Sequence, residues 1–233
     1  MGGGKMRRTA KHVCIFPVVV LVFILLSCAT GYNKYADRYY QEGLAFYEKM
    51  DYGRSIDSFK KVLELAPHGK DNDLVYYNLG MAYFKQRQYD NSIYNLTKAL
   101  ELIPREDDKR RFRALKWRGN AYVQKKEFDR AIKDYSDALP LDPKNENIKY
   151  IYDHRAWSWV DVKNYDLAMK DFNSAISIDP KFDAAYYGRA YVWYKKGDLQ
   201  RAIIDAKEAL RLNPSNKRYD DLFYKIDSEM NRQ

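Results

Sequence analysis

The sequence predicts an all-α solenoid: five helix–turn–helix units closed by one further helix. Three observations predict it. A proline-ended frame recurs five times, at Pro67, Pro104, Pro143, Pro180 and Pro214, with spacings of 37, 39, 37 and 34 residues. Small and aromatic residues keep one phase in every copy, at intervals of three and four, which are helical periods. Both cysteines, Cys14 and Cys28, precede the first copy, so the repeats carry no disulfide framework, thiol nucleophile or cysteine-based zinc site. Such a chain gains its stability by burying each unit on its neighbours.

The leader comes first. Met1 to His12 holds Lys5, Arg7, Arg8 and Lys11 and no acid, and Val13 to Leu26 is almost entirely apolar before Ser27, Cys28 and Ala29. A basic segment, an apolar run of 14 residues and a small-residue junction make residues 1–27 a secretory signal. The run is shorter than the about 20 residues of a bilayer span, and Pro17 interrupts it. Leu25-Leu26-Ser27-Cys28 resembles the lipobox of bacterial lipoproteins. That resemblance implies cleavage before Cys28, acyl chains such as palmitate on its sulfur and new amino group, and a lipidated tether over residues 28–35. Two alternatives stay open: ordinary cleavage after Ala29, and an uncleaved anchor. Gly2 is not followed by the Ser or Thr of a myristoylation signal, since Met6 stands there. Ala29, with no Asp after the cysteine, implies the outer membrane under enterobacteria-like sorting. Only seven residues join Cys28 to Tyr35, a reach of roughly 25 Å when extended, so the first unit is expected close to the lipid surface.

The units are expected at 36–69, 73–106, 112–145, 149–182 and 183–216. Each opens with a small residue three before an aromatic: Gly43/Phe46, Gly80/Tyr83, Gly119/Tyr122, Ala156/Trp159 and Ala190/Trp193. A second small residue follows, at Ser55, Ser92, Ala131, Ala168 and Ala202, and then Phe59, Leu96, Tyr135, Phe172 and Ala206. Small residues let two helix backbones approach, and the large ones fill the gap. An aromatic beside Asp or Gly, as in Asp51-Tyr52-Gly53 and Tyr89-Asp90, reads as the turn within a unit. The terminal proline closes it, because proline cannot continue a helix interior. Extra residues at 70–72, 107–111 and 146–148 read as longer loops. Lys217 to Gln233 reads as a final helix whose Leu222, Phe223 and Ile226 cap the last apolar face.

The frame Leu79-Gly80-x-x-Tyr83, with Ser92, Leu96, Ala99 and Pro104, resembles the tetratricopeptide repeat. The resemblance covers residues 36–216 and implies a right-handed solenoid whose first helices line a concave, ligand-binding groove. Carried over position by position, the groove would present Tyr40, Tyr77, Asn78, Phe84, Arg113, Lys116, Asn120, Asp153, His154, Trp157, Tyr187, Tyr191 and Lys195, with Leu44, Tyr47, Met81, Trp117 and Tyr194 nearby. That surface is aromatic with a charged centre and suits a peptide or helix with apolar anchors. About half of these aromatics are expected to pack within the scaffold. Some members hold a C-terminal carboxylate with paired Lys, Asn and Arg side chains. Lys116 and Asn120 match the first pair, but His154, Ala184 and Gly188 break the rest, so no such clamp is expected.

Net charge is +9, of which the leader supplies four, leaving 37 basic against 32 acidic residues. This dispersed excess reads as a solvated helical exterior. The run Lys109-Arg110-Arg111 is the densest basic patch, but an export signal argues against nucleic acid. The three histidines, His12, His68 and His154, have no metal-ligand neighbours at usable spacing, and no phosphate-cradling or nucleophile-elbow motif occurs. No cofactor, metal or catalytic residue is therefore expected. The expected function is a non-enzymatic envelope lipoprotein that scaffolds a protein complex. The alternative is a periplasmic binder of a small hydrophobic solute acting with a transporter.

Overall fold

The computed structural model describes residues 34–232, and among them the chain is wholly helical. The expected signal segment, the expected tether and Cys28 lie outside the described residues. Helix α1 occupies 34–48. It is followed by α2 (Tyr52–Leu65), α3 (Asn72–Lys85), α4 (Tyr89–Leu102), α5 (Asp108–Gln124), α6 (Phe128–Ala138), α7 (Ile148–Asp161), α8 (Tyr165–Ile178), α9 (Asp183–Lys195), α10 (Leu199–Leu212) and α11 (Lys217–Met230). No described helix is long and apolar enough to cross a membrane.

Antiparallel pairs stack in sequence. The first helices of successive pairs touch one another (α3 with α5, α5 with α7, α7 with α9, α9 with α11), whereas among the described residues the second helices do not. First helices therefore form the inner wall and second helices the outer one. The core is a row of clusters that straddle neighbouring pairs, for example Phe59, Val75 and Leu79, or Tyr135, Ile148 and Ile151.

Backbone approach within a pair has a side-chain cause. Ser55, Ser92, Ala131, Ala168 and Ala202 are fully buried. The two serines also donate to the carbonyls of Gly43 and Gly80 at 2.9 and 2.8 Å. A Cβ on Gly119 would stand 2.7 Å from the Tyr135 ring. The fourth pair has Ala156 instead, and the Phe172 ring lies against Gly188 of the following pair, where a Cβ would fall 2.3 Å from it. The last pair has Ala206 in place of the ring, so Ala190 needs no gap there.

Three local expectations are corrected. The aromatic-Asp segments are not the turns: Tyr52, Tyr89, Phe128 and Tyr165 begin the second helices. The chain reverses two residues before each second helix begins, on Met50, Arg87, Lys126, Lys163 and Gly197, all with positive φ. Each closes a paired hydrogen-bond motif, as where Lys163 N–H donates to the Val160 carbonyl and Asn164 N–H to that of Trp159. The extra residues 107–111 do not lengthen a loop. Asp107 accepts the Arg110 N–H at 2.9 Å, capping an α5 of 17 residues that absorbs them. Arg110 then bonds Asp73 and Asp107, which fixes the basic run in the scaffold. Helix α6 is short, with 11 residues, and ends before Pro140 instead of running to Pro143.

A repeated polar bracket was not foreseen. Arg118, Arg155 and Arg189 grip Asp134, Asp171 and Asp205 with two hydrogen bonds each, at 2.7–2.8 Å. Each guanidinium also donates backwards to the preceding pair, to Thr97, Ser136 and Asn173.

Candidate functional site

The inner wall carries two groups of side chains. In the N-terminal group the Tyr40 ring lies 5.8 Å from Phe59, and its hydroxyl accepts from Asn78 Nδ2 at 3.1 Å. Burial pushes the neighbouring Tyr47 up to about 12. Burial also raises Tyr77, with Arg113 opposing. Phe84 meets Trp117 edge-on at 5.3 Å, and the Lys85 and Lys116 ammonium groups sit 5.7 and 5.6 Å from the Trp117 ring. Lys85 is exposed and Lys116 half-buried, and such cation–π contacts gain strength as the cation is desolvated.

Centrally, Asn120 Oδ1 accepts from the Tyr135 hydroxyl at 2.7 Å. His154 tilts over Tyr135 at 6.0 Å, and its buried Nδ1 has no partner among the described residues. Burial, then the charge of Lys116, lowers the His154 pKa and keeps the ring neutral. Burial likewise lowers Lys116, helped by Arg113.

The C-terminal group is the tighter one. Trp157 lies 5.6 Å from Phe172, 5.8 Å from Tyr187 and 5.6 Å from Tyr191, and Tyr187 stacks on Tyr219 of α11 at 4.9 Å. Trp157, Tyr187 and Tyr219, with Asp153, Asn216 and Arg218, line a recess of about 310 Å³. Asp153 is only 8% exposed, and its Oδ1 has no hydrogen-bond partner among the described residues. Burial pushes its carboxyl up to about 7, opposed by a polar contact from Trp157 and reinforced by Asp183. Asp183 itself is occupied, accepting from Asn213 Nδ2 and the Tyr219 hydroxyl.

Family models of the tetratricopeptide repeat match residues 36–68, 74–106, 112–145, 151–182 and 183–216. The chain belongs to the tetratricopeptide repeat family. Its fold is the right-handed solenoid of that family. No curated protein matches the chain. Among solved structures it is similar to the MamA protein, with 24% identity, a TM-score of 0.68, and 80% of this chain and 96% of that one covered. A tetratricopeptide repeat protein from Parabacteroides merdae gives 18% identity, a TM-score of 0.73 and coverages of 85% and 74%. A chain of the APC/C hetero-tetramer Cut9–Hcn1 gives 19%, 0.64, and coverages of 83% and 36%. At these identities the likeness is one of fold.

Within this tetratricopeptide stack the thirteen groove positions do not form one surface of equal depth. Arg113 and Lys195 are exposed, Asp153 is buried, and the others are half-buried. Tyr40 with Asn78, and Asn120 with Tyr135, satisfy one another within the scaffold. The structure gathers Asp153, Trp157, Tyr187 and Tyr191, whose positions the repeat phase had singled out. It adds Asn216, which sequence reasoning placed at the end of the fifth unit, and Arg218 and Tyr219, which it assigned to a covering helix. The one signal for them was their place at the start of α11, facing the last groove position. Among the described residues no trio of His, Cys, Asp or Glu is placed to hold a metal ion.

Proposed function

We propose that this protein is a non-enzymatic scaffold of the bacterial cell envelope. Acyl chains on Cys28 hold it to the membrane, the outer membrane under the sorting that Ala29 implies. The inner wall of the solenoid binds a protein or peptide partner and brings it into a larger complex. One observation carries this reading: α7 holds two buried polar atoms with no partner among the described residues, Asp153 Oδ1 on the side of Trp157 and Tyr187 and His154 Nδ1 on the side of Tyr135. A buried polar atom without a partner costs on the order of 1–3 kcal/mol, and a bound chain would satisfy it. The Cut9–Hcn1 assembly shows a chain of this fold within a protein complex.

The test is capture from envelope extract with the full chain and with a Lys116→Ala/Trp157→Ala variant, whose helicity is checked by circular dichroism. A protein held by the first and lost by the second supports the groove. Equal capture by a folded variant moves the binding surface elsewhere and ends this reading. Lipidation has its own test: a clickable palmitate analogue should label the chain, and Cys28→Ser should abolish the label.

A further inference from the structure

We infer that the recess between α7, α9 and α11 is a cation-binding subsite, which takes a lysine or arginine side chain of the bound peptide. The inference rests on the groove-binding reading above and names what one part of that groove recognises.

Its base is Asp153, more than nine-tenths buried, with Oδ1 unpartnered. Its walls are the rings of Trp157, Tyr187 and Tyr219. A buried carboxylate oxygen without a donor is expensive and rarely kept. The groups around it do not neutralise it. From α9 it meets Asp183, a like charge engaged with Asn213 and Tyr219, and the ring of Tyr187. From α11, Arg218 rests its guanidinium on Tyr187 at 5.5 Å and forms no ion pair among the described residues. On α7 itself Trp157 offers a polar contact, and burial lowers the pKa of His154. From α5, Lys116 acts on His154.

The recess therefore has negative charge at its base and π-faces on its sides. Ring faces attract cations, most strongly when desolvated, and a carboxylate beneath them adds a charge-assisted hydrogen bond. An anionic group would face Asp153 and Asp183 together, and a purely apolar one would leave Oδ1 unpaired. About 310 Å³ has room for one side chain and not for a folded segment. Arg218 already demonstrates within the molecule that a guanidinium can rest on the Tyr187 ring.

The experiment follows the Trp157 indole N–H of the full chain by nuclear magnetic resonance. The probes are acetylated, amidated pentapeptides of alanine with arginine, lysine, norleucine or glutamate at the centre. Arginine and lysine peptides should shift that resonance saturably at pH 8. Binding should weaken about tenfold at pH 6, where Asp153 is mostly protonated, and Asp153→Asn should remove it at both pH values. Binding of the norleucine peptide as tight as the arginine peptide overturns the subsite without recourse to any variant, and arginine binding that Asp153→Asn leaves unchanged overturns it as well. Capture of an envelope partner that Lys116→Ala/Trp157→Ala abolishes and Asp153→Asn leaves intact also overturns it, while the scaffold reading stands. Saturable, pH-dependent peptide binding without any groove-dependent partner upholds the subsite and removes the scaffold reading instead.

Discussion

At Asp153 the fold keeps a carboxyl group where its ionised form is disfavoured, and the pH dependence of stability should record it. Its folded pKa, about 7, lies above the ordinary value of 3.8. The contribution to stability is therefore complete below about pH 4 and is lost as pH rises through 7. Three pH units correspond to at most about 4 kcal/mol. Asp153→Asn should flatten the profile between pH 5 and 8 and make the protein more stable at pH 8, as urea unfolding would show. An unchanged slope would mean that Asp153 titrates normally. A second residue-scale outcome concerns Lys163, whose φ of 62° is a left-handed conformation. A side chain there costs on the order of 1 kcal/mol, so Lys163→Gly should raise the unfolding midpoint. Gly188→Ala should lower it sharply, because the new Cβ would meet the Phe172 ring. The phase of small and aromatic residues was legible in the sequence because close helix packing dictates both. The left-handed residues were not legible. Met50, Arg87, Lys126 and Lys163 bear no turn signature, and only Gly197 does; the hydrogen bonds of the chain reversal impose that conformation on whatever side chain is present.

At the scale of elements, the five pairs and their order followed from helical spacing, whereas element ends did not. Asp107 caps α5 and turns an expected loop into helix, and α6 ends before Pro140. Such ends depend on single caps and single prolines, which repeat alignment averages away. The Arg–Asp brackets escaped notice for a related reason. Arg118, Arg155 and Arg189 sit beside the small residues that define the frame, but Glu42 and Leu79 take that place in the first two units. Within a bracket both charges are largely buried, so removing one leaves the other stranded. Asp171→Ala should cost about 3–5 kcal/mol. The double change Arg155→Met/Asp171→Leu should cost clearly less, and a double-mutant cycle measures the difference. Equal losses would show that the pair acts as two independent solvated groups.

At the scale of the whole molecule, α11 does more than cover the last apolar face. Leu222 and Ile226 bury themselves on the final pair, while Tyr219 and Arg218 complete the recess around Asp153. Deleting residues 217–233 should lower the unfolding temperature. It should also detach the Tyr219 ring from Tyr187, which the fluorescence and indole resonance of Trp157 would report. The groove side of this recess was legible through the tetratricopeptide resemblance, which carries over Asp153, Trp157 and Tyr187 as groove positions. The α11 side was not, because its residues lie beyond the repeats. The Arg–Asp brackets have one more consequence at this scale. Each arginine reaches back one pair, so they join the second pair to the third, the third to the fourth and the fourth to the fifth. Among the described residues no bracket of this kind joins the first pair to the second, where the apolar cluster of Phe59, Val75 and Leu79 and the Asn78–Tyr40 hydrogen bond span the junction instead. The stack should thus be a spring of uneven stiffness, with the junction between α2 and α3 lacking the charged tie of the later ones. Stretched from its two ends, it should yield at the N-terminal coils first, while the recess at the far end keeps its shape under load.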